Sequence, residues 1–172
     1  KTISDYLEKL NYNITEIPNR KNVFAEGGEF YYCAKDKVLF SGLKRNSISG
    51  AEEVASFLNV NKLILIKTKA FHLDTVFTTI MDQHGRLCAV IVCKDLISKD
   101  SFDLLNKFSD LNNIKIINIP PIDSIGTNNN IGSLAVNNFS APGLLISSSR
   151  FSEPFVAKYL NSKNIKMETT PV

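Results

Sequence analysis

Apolar and polar positions along this chain follow a unit that recurs about every 50 residues: two short apolar runs, an amphipathic stretch of helical period, then a third apolar run. The first unit predicts strands over Glu29–Ala34 and Lys37–Gly42, a helix over about Ser49–Leu58 and a strand over Lys62–Lys67. The second predicts strands over Thr75–Met81 and Arg86–Val92, a helix over about Asp100–Leu111 and a strand over Ile114–Ile119. In the third, strands over Ser133–Asn137 and Gly143–Ser147 lead to a helix over about Glu153–Asn161 and a strand over Ile165–Glu168. Val54, Phe57 and Leu58 in the first helix, and Leu104, Leu105 and Phe108 in the second, fall on one face, so each helix is expected to cover sheet.

The chain opens on what reads as the close of a further unit. Tyr6-Leu7 to Pro18 parallels Tyr159-Leu160 to Pro171 with the same internal length: helix end, strand, proline. The expectation is one incomplete α/β domain of about three and a half ββαβ modules, at approximately 1–18 (partial), 22–67, 74–119 and 131–172. A closed repeat array that stops part-way leaves apolar faces and unpaired strand edges. Further units in the intact protein, or protein partners over the open edges, are therefore expected.

Composition narrows the class. Of the 172 residues 44% are hydrophobic and 22% charged, as in soluble globular proteins, and no apolar run approaches a membrane span. The net charge of +3 comes from scattered basic residues without aromatic interleaving, which argues against nucleic acid as a partner. The chain begins at Lys1 without a signal-peptide apolar segment, so a processed or truncated N-terminus and an intracellular location, cytoplasm or organelle matrix, are expected. Cys33, Cys88 and Cys93 lie in apolar runs outside any metal or redox spacing and read as buried free thiols. His72 and His84 have no paired-ligand spacing either, so neither a metal nor a cofactor is expected.

Three local motifs carry candidate chemistry. In His72-Leu73-Asp74, two residues of separation at the mouth of an apolar strand put imidazole and carboxylate on one side of the backbone, either as a proton-handling pair or as a satisfied histidine with a turn aspartate. In Glu26-Gly27-Gly28-Glu29 the glycines permit a tight turn, with the acids either exposed or turned into a cavity. Arg45, in the loop ahead of the first full helix, is either a solvated loop residue or an anion ligand. Asn128 to Asn130 and Asn137-Asn138 are explained by turn chemistry, and no site is assigned to them.

Read together, these segments resemble the guanidino-group-modifying, or pentein, superfamily: arginine deiminases, dimethylarginine dimethylaminohydrolases and amidinotransferases. The run Phe71-His72-Leu73-Asp74-Thr75-Val76-Phe77-Thr78 carries the resemblance most strongly, Glu26 to Glu29 is similar to the family's EGGD element, and Leu39 to Glu52 is similar to GLSxRTNxxGAE. It is strong over about Glu26–Met81 and rests on the module pattern elsewhere. The resemblance implies a five-module α/β-propeller and a catalytic His72 hydrogen-bonded by Glu26. Asp74 would bind guanidinium nitrogens and Arg45 the substrate carboxylate. It also implies hydrolysis of a guanidinium C–N bond in arginine or a methylated arginine, giving citrulline through a covalent cysteine intermediate. Glu29 departs from the family aspartate, and Asn46 directly follows Arg45 where a threonine is usual. The family's nucleophilic cysteine lies near its C-terminus, whereas no cysteine follows Cys93 here, and none of the three present matches it. Two rivals follow: a non-catalytic pentein subunit with a structural role in a larger assembly, and a pentein-fold ribosome anti-association factor, which has no reason to keep His72 and Asp74 beside Glu26.

Overall fold

Residues 3–17 and 20–170 are described by the computed structural model. A short helix, α1 (Ile3–Lys9), precedes three successive ββαβ modules. The first has β1 (Phe30–Cys33), β2 (Val38–Gly42), α2 (Ile48–Phe57) and β3 (Lys62–Ile66). The second has β4 (Phe77–Met81), β5 (Leu87–Val92), α3 (Lys99–Asn112) and β6 (Lys115–Asn118). A small hairpin, β7 (Gly126–Thr127) and β8 (Asn130–Ile131), leads to the third: β9 (Asn138–Ala141), β10 (Leu144–Ser147), α4 (Pro154–Ser162) and β11 (Lys166–Thr169). In each sheet the module's second strand is central, antiparallel to the strand before it and parallel to the one that returns through the helix. Parallel neighbours require such a crossover, whereas antiparallel ones need only a turn.

Local chemistry sets these boundaries. The hairpin turns are made by left-handed residues, Lys37 at φ 51°, Gly85 at 76° and Gly143 at 70°. Ser47 and Ser98 begin α2 and α3 by accepting the backbone N–H of Gly50 and Ser101, and left-handed Asn113 ends α3. All of β2 and nearly all of β5 are buried, because sheet and helices cover both faces. Phe40 of β2 packs on Phe77 of β4 and on Phe108 of α3, with ring centroids 5.1 and 5.7 Å apart, so the first two modules share one core. The Tyr159 hydroxyl of α4 donates to the Cys88 carbonyl of β5 at 2.9 Å, joining the third module to the second.

Three expectations are corrected. The run Ser133–Asn137 is not a strand: Leu134 is left-handed at φ 53° and accepts the Asn137 N–H, while Val136 donates to the Asp123 carbonyl. The strand starts at Asn138, because the Pro142-Gly143 turn pairs Ala141 with Leu144 and so fixes the hairpin. On α2 the buried positions are Gly50, Ala51 and Ala55, while Phe57 is exposed. Gly50 meets the Phe24 carbonyl so closely that a Cβ would lie 2.0 Å from it, so small residues bring this helix in. After α1, residues 12–17 form no strand. No earlier strand exists among the described residues to pair with them, and Pro18 and Pro171 lie outside those residues. No helix among the described residues is long and apolar enough to cross a membrane.

Candidate active site

The first strands of the first two modules follow one-turn 3-10 helices, Gly27–Glu29 and Leu73–Thr75, and a comparable turn, Pro121–Asp123, precedes the β7–β8 hairpin ahead of β9. Glu26 and His72 are the extended residues just ahead of the first two turns, with φ −127° and −137°. They point at each other across the module boundary, and Glu26 Oε1 lies 2.8 Å from His72 Nε2. The other Glu26 oxygen accepts from Arg45 Nε at 3.2 Å. The Glu26 backbone N–H donates to Asn46 Oδ1 at 2.6 Å, and Asn46 Nδ2 donates to Ser41 Oγ at 3.1 Å, so the loop carrying Arg45 is anchored to the Glu26 turn.

On the opposite edge of the imidazole, His72 Nδ1 is 4.0 Å from Asp74 Oδ1. Gly28 lies beneath this pair, where a Cβ would stand 3.0 Å from Asp74 Oδ2 and 3.3 Å from His72 Nδ1. The second glycine of the Glu-Gly-Gly turn thus sits in close approach to both side chains, which a larger residue would displace, and the Glu26 carboxylate is turned into the site. Thr75 Oγ1 donates to the His72 carbonyl at 2.7 Å and closes the turn that aims the ring. All four residues singled out from sequence, Glu26, Arg45, His72 and Asp74, therefore meet in one cluster.

The acids of this cluster sit in contrasting environments. Glu26 is held below the usual carboxylate range, chiefly by its bond to His72; partial burial opposes this and Arg45 adds to it. Burial pushes Asp74 up, against the pull of His72 and of the Asn137 side chain from the third module. Glu29 is wholly buried, and neither of its oxygens has a hydrogen-bond partner among the described residues. Burial raises its pKa despite opposing effects from His72 and from the backbone N–H groups of Lys44 and Leu73, which lie close without ordinary hydrogen-bond geometry. Its carboxylate rests on Gly42, where a Cβ would stand 1.5 Å from Oε2. The third module's counterpart, Asp123, accepts the backbone N–H of Ser152 at 2.7 Å and of Glu153 at 3.1 Å. The glutamate has no such bonds.

Phe71, Asn46 and Asn137 belong to the cluster but were not singled out from sequence. The Phe71 ring packs at a tilt against His72 and lies under Arg45. Phe71 carries no signal of its own in the sequence, because its partners are brought to it by folding, and Asn137 reads as turn chemistry until the third module is placed. The cysteines stand apart in character. Cys33 and Cys93 are wholly buried in the core, and burial pushes their thiols up to about 12 and about 11. Cys88 is half-buried and also raised by burial. His84 sits in the β4–β5 hairpin, its N–H on Asp82. Among the described residues no group of three or more His, Cys, Asp or Glu side chains could hold a metal ion.

No protein-family model matches the sequence, and no curated protein matches it at the sequence level. The N-terminal domain of ArgZ, an arginine dihydrolase from the ornithine-ammonia cycle in cyanobacteria, bound to its product, aligns with 98% of this chain at a TM-score of 0.75 and 15% identity. The chain has a pentein fold. It spans 56% of the length of that ArgZ structure. A second ArgZ structure, covalently bonded to a reaction intermediate, gives a TM-score of 0.71 at 14% identity over 98% of this chain and 57% of that one. DDAH from Pseudomonas aeruginosa, complexed with citrulline, gives 0.58 at 14% identity, covering 86% of this chain and 49% of that one. The shared pentein fold accounts for the ββαβ modules.

Proposed function

We propose that this chain supplies the proton-handling and substrate-binding part of a pentein hydrolase that cleaves a guanidinium C–N bond in arginine or a methylated arginine, giving citrulline. The observation that carries the reading is the 2.8 Å contact of Glu26 with His72, flanked by Asp74 and Arg45. An imidazole held by a carboxylate is a tuned proton carrier. Asp74 is placed to accept N–H bonds from a planar cation, and the Arg45 guanidinium suits a carboxylate. Structural neighbours that act on arginine, or hold citrulline, support the same reading.

The chemistry follows from the inertness of a resonance-stabilised guanidinium. A thiolate attacks the guanidinium carbon, forming a C–S bond, and the departing amine takes a proton from protonated His72. Neutral His72 then removes a proton from water, whose oxygen attacks the same carbon; the C–S bond breaks and the ureido product leaves. Cys33, Cys88 and Cys93, with raised thiols and burial in or against the core, do not suit the nucleophile's role. In this reading the thiolate comes from polypeptide outside these 172 residues.

The unsuitability of these three cysteines favours a second reading, a non-catalytic pentein subunit with a structural role in a larger assembly. One experiment separates the two. A general base alone supplies only about 10²–10⁴-fold acceleration, so the 172-residue chain should form no detectable citrulline from arginine or methylated arginine. The protein encoded by the full reading frame should form it if a further cysteine is present, and should lose it on His72→Ala. A full-length protein with that cysteine but without activity would favour the structural subunit.

A further inference from the structure

Phe71 stands at the rim of the candidate site with 58% of its surface exposed. A single exposed phenylalanine is ordinary on a protein surface. This one differs in what it touches. Its ring lies 4.3 Å from the His72 ring, centroid to centroid, and the Arg45 guanidinium carbon sits 4.5 Å from its centroid. These two neighbours are also side-chain partners of the Glu26 carboxylate, at 2.8 Å for His72 and 3.2 Å for Arg45. Phe71, Arg45, Glu26 and His72 therefore form a closed ring of contacts.

We infer that Phe71 is a positioning residue of this site, holding the Arg45 guanidinium so that its two terminal nitrogens are presented to the carboxylate of an amino-acid substrate. The inference deepens the proposed function and rests on it. Arg45 is 43% exposed, and its ion pair with Glu26, through Nε, leaves a long flexible side chain free to pivot. A second contact, from the face of an aromatic ring, fixes the guanidinium plane as well. With Nε committed to Glu26, the end-on pair of terminal N–H groups remains for a bidentate carboxylate. Phe71 acts through Arg45, so it selects guanidines that carry an α-carboxylate over those that lack one. The motifs that pointed to Arg45 and His72 assign Phe71 no such role.

The test compares arginine with agmatine, its decarboxylated analogue, in NMR titrations of the wild-type chain and the Phe71→Leu, Phe71→Tyr, Arg45→Ala and Phe71→Leu/Arg45→Ala variants. Phe71 is exposed, so these changes leave the core intact. Phe71→Leu should weaken arginine binding about two- to fivefold, as expected for one exposed cation–π contact, and leave agmatine binding unchanged. In the Arg45→Ala background it should have no further effect, and Phe71→Tyr should bind arginine like the wild type. Equal weakening of both ligands, or an additive effect in the Arg45→Ala background, would overturn the inference. The ligand-free protein supplies an independent readout. The Arg45 Nε–H resonance should carry a ring-current displacement that Phe71→Leu removes and Phe71→Tyr keeps. If neither ligand binds, the proposed function fails; if the Arg45 resonance ignores Phe71→Leu, the positioning role fails.

Discussion

Glu26 and His72 occupy the same place in successive modules, each the extended residue before a 3-10 turn, and their 2.8 Å contact joins the two modules at the site. A repeat thereby makes an asymmetric pair from equivalent positions, with an acid from one unit and a base from the next. Glu26→Gln keeps the size and one acceptor but removes the charge that holds the imidazole. In the full-length protein it should lower turnover roughly 10²-fold or more, the scale of a disabled general acid–base group. The circular dichroism melt should be nearly unchanged, because exposed ion pairs contribute little to stability. Unaltered turnover would remove Glu26 from the mechanism.

The depressed pKa of Glu26 gives this contact a pH dependence of definite sign. A carboxyl whose folded pKa lies below its unfolded value adds stability above the unfolded value, and that contribution is lost as pH falls through the folded one. The ordinary value is 4.5, so the contacts with His72 and Arg45 should persist from neutral pH to below 4.5 and break only on further acidification. Following the Arg45 Nε–H resonance through an acid titration checks this. A break well above 4.5 would show that His72 and Arg45 do not hold the acid ionised.

Thiol reactivity separates the structural cysteines from a nucleophile supplied elsewhere. Burial raises all three thiols, to about 12 for Cys33 and about 11 for Cys93. At pH 8 the folded chain should react only slowly with an aromatic disulfide reagent, Cys88 first because it alone is partly accessible, and all three should react at once in denaturant. A fast-reacting thiol in the folded chain would make one of them a candidate nucleophile.

The architecture was legible because two periodicities alternate at fixed intervals, and helices predicted from 49, 100 and 153 begin at Ile48, Lys99 and Pro154. What failed was decided by tertiary packing. The apolar run Ser133–Asn137 reads as a strand, but Ala135 and Val136 are buried in a loop that bonds back to the third 3-10 turn. Phe57 reads as core, but Gly50 and Ala51 allow α2 to approach on another face. At the site, the charged members were readable from three short motifs. Asn137 and Phe71 were not, since one reaches Asp74 from another module and the other matters only through side chains brought together by folding.

Glu29 is the position where local sequence and surroundings conflict most, and its stability effect has a predictable sign. An aspartate at the equivalent place in the third module caps the loop ahead of α4, whereas the longer Glu29 carries its carboxylate past such partners and onto Gly42. A buried group without hydrogen bonds is destabilising, more so when charged. Burial raises the folded pKa of Glu29, so the folded state holds this proton more tightly than the unfolded one. Stability from this group is therefore greatest at low pH and declines as pH rises above the ordinary 4.5. Glu29→Gln removes the ionisation but keeps the volume. Its melting temperature should match that of the wild type near pH 4 and exceed it increasingly towards pH 8, by a margin on the order of 1–3 kcal/mol in unfolding free energy if the full cost of an unsatisfied buried group is relieved. Denaturant melts at several pH values read this directly. A variant less stable than wild type at pH 8 would mean that the ionised Glu29 carboxylate is satisfied by the Lys44 and Leu73 N–H groups after all.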